Sequence, residues 1–236
     1  MNDSELTSGA LVEKSPLVVE VIGPAGAGKT TLVHALSQRN INIQQDFRLS
    51  KVRKTPIFIS NTLFLLPTFL RQYRNSRWFN WRETRSMVYL VAGLDVLGQQ
   101  ASNSDLVTVL DHGPIYRLAF LRELGPEITK SQRYKRWWTH LLNQWIDTLD
   151  VIISLDAPND ILWERIRARD RLHFIREKRE YEAFEFLSRY RTSFERTIAE
   201  GMTDHHPMLL HFDTNQVSLE RIVNEVLVIL DTANTG

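Results

Sequence analysis

Eight consecutive residues, Gly23-Pro24-Ala25-Gly26-Ala27-Gly28-Lys29-Thr30, carry the most specific chemistry in the chain. They fit G-x-x-x-x-G-K-[ST], a P-loop pattern in which every position has a physical task. Gly23 and Gly28 permit backbone angles that a side chain forbids, so successive N–H groups can turn inward around phosphate oxygens. Lys29 brings a mobile point charge to β- and γ-phosphates. Thr30 offers a hydroxyl to Mg²⁺, and a helix starting there points its positive end at the same phosphates. The expected nucleotide-binding residues are therefore 23–30 with the adjoining Thr31, and the expected cofactors are ATP and Mg²⁺.

A second acidic or basic partner must come from elsewhere. Leu106 to Leu110 is a buried-strand pattern ending in Asp111-His112-Gly113-Pro114. An aspartate at the tip of a parallel strand beside a P-loop can hold Mg²⁺ or take a proton from the attacking hydroxyl. Asp111 is thus a candidate catalytic residue and, with Thr30, a candidate metal ligand. His112 is a candidate substrate contact that could equally be structural. Ile41-Asn42-Ile43-Gln44 reads as a short strand ending at Gln45-Asp46, on the rim where open α/β sheets bind ligands, and Asp46 is a candidate acceptor contact or an ordinary loop aspartate or helix N-cap.

Arginines recur at alternate positions, Arg165, Arg167, Arg169 and Arg171. Guanidinium groups suit the charge spread over transferring phosphoryl oxygens, so a helix carrying them over the P-loop would act as a lid spanning about 165–180. Arg169 is the first candidate and Arg165 the second, against the plain reading of a solvated helix paired with nearby acids. The stretch from Arg48 to Arg85 interleaves basic and aromatic residues. That composition could stack a base and hold a phosphate, or could mark amphipathic helices packing their aromatics inward.

These residues need a scaffold, and the pattern supplies one. Leu17–Ile22 reads as a strand, 31–36 as the start of a helix, and 87–97 as a buried helix. Helices are expected over 115–124 and 131–149, then a strand at 151–155. A helix capped by Asn159 or Asp160 should run through Arg171, followed by a helix over 180–200, a strand at 208–213, and a helix from Ser218 to Leu230. Such alternation predicts a three-layer α/β fold: about five parallel strands, helices on both faces and the arginine-rich lid. Residues 1–15 read as a loose polar tail and 16–236 as a single domain.

Twenty-nine Lys and Arg against 28 Asp and Glu leave a net charge of +1, so no global field recruits nucleic acid or membrane. With no cysteine there are no disulfides or thiolate metal sites, which suits a reducing cytoplasm. The apolar region 56–70 is too short and broken to span a bilayer. The expected partner is a small-molecule phosphoryl acceptor, with a homodimer through 87–97 as a possibility.

Laid in order, these features resemble the nucleoside and nucleotide kinases, thymidylate kinase first and the deoxynucleoside kinases next. Leu155-Asp156-Ala157-Pro158 through Arg171 is similar to the strand-then-lid passage of thymidylate kinase. Phe186-Leu187-Ser188-Arg189-Tyr190 is similar to the helix after that lid, and His211-Phe212-Asp213 to the last strand. The resemblance implies that Lys29 and Thr30 bind ATP phosphates and Mg²⁺ and that Arg169 or Arg165 is the lid arginine. Two departures stand out: His112 occupies the place of the family's arginine after the strand aspartate, and Asp46 lies near where deoxynucleoside kinases carry a base glutamate.

The leading expectation is an ATP-dependent kinase of a nucleoside or nucleoside monophosphate. Alternatives are a kinase of another metabolite hydroxyl and a non-catalytic nucleotide-binding protein. A GTPase would need Asp-x-x-Gly and Asn-Lys-x-Asp; Gly113 follows Asp111 too early, and no Asn-Lys-x-Asp occurs. A remodelling ATPase would usually place glutamate where His112 stands.

Overall fold

A computed structural model describes residues 16–46, 56, 59–60, 62–67, 70, 77–100, 106–169, 175–202 and 207–235. Five strands, β1 (Leu17–Ile22), β2 (Ile43–Gln45), β3 (Val107–Asp111), β4 (Val151–Asp156) and β5 (Met208–Asp213), form one sheet in the order β2-β3-β1-β4-β5. Every neighbouring pair is parallel. Parallel strands need crossovers long enough to return the chain, and helices supply them. These are α1 (Lys29–Arg39), α2 (Trp81–Gln100), α3 (Pro114–Leu124), α4 (Gln132–Thr148), α5 (Asn159–Arg167), α6 (Glu180–Gly201) and α7 (Leu219–Thr235).

The sheet is buried on both faces, which is why its central strands are almost continuously apolar. In β1, Leu17, Val19 and Val21 join a cluster with Leu32 and Leu36 of α1, Leu162 and Ile166 of α5, and Val226 of α7. Val18 and Ile22 face the opposite side, among Leu90, Leu118, Leu142 and Phe194 from α2, α3, α4 and α6. Two tryptophans of α4, Trp138 and Trp145, are buried in this second layer with their N–H groups satisfied. Trp138 Nε1 donates to the Leu118 carbonyl at 3.1 Å, and Trp145 Nε1 to the Leu90 carbonyl at 2.9 Å.

Three expectations need adjustment. The helix at 87–97 is part of the longer α2, and Met87, Leu90, Ala92 and Leu97 are buried in the chain's own core. Their apolar character is thus accounted for within one subunit. Helix α5 ends at Arg167 and does not reach Arg171. Ile166 is its last buried residue, and 167–169 are exposed, so no apolar contact holds another turn. Its N-cap position is Pro158, with no side-chain cap from Asn159 or Asp160. Ser218 caps the closing helix as expected, accepting from Arg221 N, while Ser131, read as the first residue of its helix, is that helix's cap and accepts from Tyr134 N.

Candidate functional site

All five strands run in the same direction, so the loops leaving β1, β3 and β4 meet at one edge of the sheet. The loop after β1 shows why its glycines are there. Gly23 (φ 143°) and Gly26 (φ 89°) both adopt left-handed backbone, and a Cβ on either would press into a neighbouring main chain. On Gly23 it would lie 2.1 Å from the Leu155 carbonyl oxygen, and on Gly26 2.8 Å from that of Leu162. The pattern leaves position 26 free; here the close passage of α5 requires glycine as well.

Lys29 is buried at the start of α1, and its ammonium donates to the carbonyls of Gly23 and Pro24 at 2.8 and 2.9 Å. Burial pushes its pKa down to about 8; Asp111 opposes this and the Arg169 charge adds to it. Thr30 Oγ1 donates to Asp111 Oδ2 at 2.6 Å. The other oxygen, Asp111 Oδ1, lies 3.0 Å from His112 Nδ1 but has no hydrogen bond of good geometry. Burial alone would raise the Asp111 pKa. His112, the Thr30 hydroxyl and Lys29 outweigh that and hold it below the usual carboxylate value. Two hard oxygens side by side, one of them a carboxylate, fit a Mg²⁺ ion with water and phosphate as its other ligands.

A cavity of about 250 Å³ opens onto these groups. Gly23, Ala25, Gly26, Gly28, Lys29 and Thr30 form its floor, and Ile166 and Arg169 approach from the end of α5. Its far wall is Arg82, His112, Tyr116, Phe186 and Tyr190. The aromatic groups support one another: His112 meets Tyr116 edge-on at 4.4 Å, and Phe186 lies 4.7 Å from Tyr190. Arg82 reaches across from α2, donating to the Tyr116 hydroxyl at 3.3 Å and covering the Phe120 ring at 4.5 Å. Among the described residues, the lining carries Lys29, Arg82 and Arg169 and no carboxylate, a balance suited to polyanions.

Arg165 is placed elsewhere. Its guanidinium donates to Oγ1 and the carbonyl of Thr214, just past β5, at 2.8 and 3.0 Å. Arg165 and Arg169 would share a face on a continuous helix; α5 stops between them, and Arg165 turns to Thr214 while Arg169 lines the cavity. Asp46 also lies off the cavity wall. It follows β2 with left-handed backbone (φ 53°) and accepts from the Tyr89 hydroxyl at 2.9 Å. Tyr89 in turn packs beneath the Arg117 guanidinium at 3.8 Å.

From the basic and aromatic stretch, Arg82 reaches the cavity, Arg77 pairs with buried Glu83, and Trp81 is exposed. Arg48, Lys51, Arg53, Lys54, Arg71, Tyr73 and Arg74 lie outside the described residues, as does Arg171. Asp156, in the strand exit resembling thymidylate kinase, is held by Arg191 of α6 through two hydrogen bonds of 2.5 and 2.9 Å. It fastens that helix to the sheet.

One residue that sequence reasoning passed over is Glu20, the single charged residue in the apolar run 17–22. It is fully buried, and its carboxyl oxygens accept from Ile115 N at 2.8 Å and Tyr116 N at 3.0 Å, the free amides that open α3. Burial pushes its pKa up to about 8, with the two amides and Arg117 pulling the other way. Gly113 leaves it room: a Cβ there would stand 2.8 Å from Glu20 Cδ. The only sequence sign was a carboxylate interrupting a β-branched strand.

The parallel sheet, the loop after β1 and the crossover helices define a P-loop NTPase fold of the nucleotide-kinase type. Solved structures share it along nearly the whole chain. Thymidylate kinase from Candida albicans superposes with a TM-score of 0.56 at 14% identity, covering 92% of both chains. Deoxyadenosine kinase from M. mycoides with bound dCTP gives 0.51 at 14%, covering 92% of this chain and all of that one. YorR from Bacillus subtilis, in complex with phosphorylated GDP, gives 0.51 at 12%, with 93% and 98% covered. At these identities the likeness is one of fold. No family model matches the chain, and no curated protein matches its sequence.

Proposed function

We propose that this chain is an ATP-dependent kinase of a small molecule, transferring the γ-phosphoryl group to a nucleoside or nucleoside monophosphate. The observation that carries the reading is the hydrogen bond at 2.6 Å from Thr30, on the floor of a cavity also lined by buried Lys29, Arg82 and Arg169, to Asp111 behind it. Structural neighbours that are kinases of nucleotides and deoxynucleosides support it.

In this reading the amides of residues 23–31 hold the triphosphate, and Lys29 exchanges its two carbonyl partners for β- and γ-phosphate oxygens. Thr30 and Asp111 would hold Mg²⁺, which when bound neutralises phosphate charge. Arg169 faces the phosphoryl group from the α5 side and stabilises charge that grows during transfer. The acceptor sits against His112, Tyr116 and Tyr190, with Arg82 at its edge. Aromatic faces suit a base, and the guanidinium suits a phosphate or hydroxyl. No helix among the described residues is long and apolar enough to cross a membrane. With a cysteine-free sequence, we place the enzyme in the cytoplasm.

The test is ADP formation with Mg²⁺ and a panel of nucleosides, nucleoside monophosphates and sugars, with Lys29→Ala as control. Acceptor-dependent turnover that the control lacks is the expected result. ATP binding without turnover on any acceptor would leave a nucleotide-binding protein in place of a kinase.

A further inference from the structure

Glu20 shapes the cavity without reaching it: the residue is fully buried in β1 and does not line the wall. Only His112 and Gly113 join β3 to α3, and His112 takes a left-handed backbone (φ 58°) to make the turn. The helix has no cap of its own. Pro114 opens it without an N–H, and Gly113 at the N-cap has no side chain to offer. The first helical bond runs from Arg117 N to the Gly113 carbonyl at 3.1 Å, which leaves Ile115 N and Tyr116 N without helical partners. Glu20 takes both, one on each carboxyl oxygen. The fit is close on its other side too. A Cβ on Gly113 would stand 2.8 Å from Glu20 Cδ and 3.0 Å from its Cγ. A central strand thus fixes where α3 begins.

What begins there is cavity wall. Tyr116, whose amide Glu20 holds, lines the cavity, and its hydroxyl accepts from Arg82 at 3.3 Å. His112, on the other side of Gly113, meets its ring edge-on at 4.4 Å. We propose that Glu20 is a positioning residue for the phosphoryl acceptor, placing His112 and Tyr116 and, through Tyr116, Arg82. This role rests on the kinase reading above and gives Glu20 no contact with either substrate. The ATP side is held by other contacts. Gly23 and Gly26 pack on the Leu155 and Leu162 carbonyls, and Asp111 is kept in place by the pairing of β1 with β3. Loosening the start of α3 should therefore disturb the acceptor and spare ATP.

The experiment compares Glu20→Ala and Glu20→Gln with Asp150→Asn. Asp150 is a matched control, because its carboxylate accepts from Val18 N at 2.7 Å at the opposite end of β1. Each protein is assayed for melting temperature, ATP affinity and kinetics, with adenosine, thymidine and their 5′-monophosphates as acceptors. Hydrogen exchange over residues 112–117 is followed by mass spectrometry. Glu20→Ala should raise the acceptor KM by about tenfold or more, with ATP affinity unchanged within about twofold. Glu20→Gln keeps one accepting oxygen and should raise it less. Asp150→Asn should lower the melting temperature and leave the acceptor KM alone. An unchanged acceptor KM in both Glu20 variants would overturn the proposal. So would a parallel loss of ATP affinity, or an equal KM rise in Asp150→Asn, since Glu20 would then act through stability alone. If the native protein turns over none of the four acceptors, the fault lies with the kinase reading, and exchange decides on Glu20. Faster exchange confined to 112–117 in its variants upholds the placement; unchanged exchange there, or loosening of the whole chain, overturns it.

Discussion

The hydroxyl of Thr30 donates to the carboxylate of Asp111 at 2.6 Å, joining the first turn of α1 to the tip of β3. β1 pairs with β3 in register, Val21 opposite Asp111, so the strand that feeds the loop also delivers the carboxylate. If these oxygens hold Mg²⁺, Asp111→Asn should lower kcat by about 10² or more while leaving the fold intact. Steady-state kinetics beside thermal melting would check this, and an unchanged kcat would remove Asp111 from the mechanism.

Lys29 gives a pH dependence with a definite sign. Its pKa in the free protein is depressed to about 8, so its positive charge is present below that pH and lost above it. ATP affinity, followed by fluorescence titration, should therefore weaken as pH rises through about 8. Lys29→Ala should bind weakly throughout and show no such step.

The two arginines of the lid segment should separate. Arg169 lines the cavity, and Arg169→Ala should cut kcat by about 10² or more with little change in melting temperature. Arg165 is tied to Thr214, so Arg165→Ala should cost stability, about 1 kcal/mol, more than it costs kcat. Equal kinetic losses in both variants would argue against this division.

Glu20 should govern acid–base behaviour of the fold. Its folded pKa is raised from the usual 4.5 to about 8. The native state thus holds a proton that the unfolded chain releases, and the stabilisation is complete below about 4.5. It declines as pH rises towards 8, at up to ~1.4 kcal/mol per pH unit. Denaturant titrations across that window should show the slope. Glu20→Gln should flatten it, while losing about 1–3 kcal/mol at acidic pH because one α3 amide loses its acceptor.

Much of this was legible in the sequence because it depends on local pattern. The glycines, Lys29 and Thr30 lie within eight residues, the buried strands read as unbroken apolar runs, and alternation with helices implied a parallel sheet. Asp111 was visible because a strand tip next to a P-loop has few places to go. Local pattern ranked Arg169 before Arg165 but put both on one helix; with 167–169 exposed after buried Ile166, the helix ends between them. Nor could local pattern give Glu20 its partners, which lie 95 and 96 residues away, or bring Arg82 onto the cavity wall beside Tyr116. Those contacts exist only once β1 and β3 pair and α2 and α3 pack on the same face of the sheet. The sequence determined which chemistry is present, and the tertiary structure decided which side chains share it, because partners distant along the chain meet only through packing.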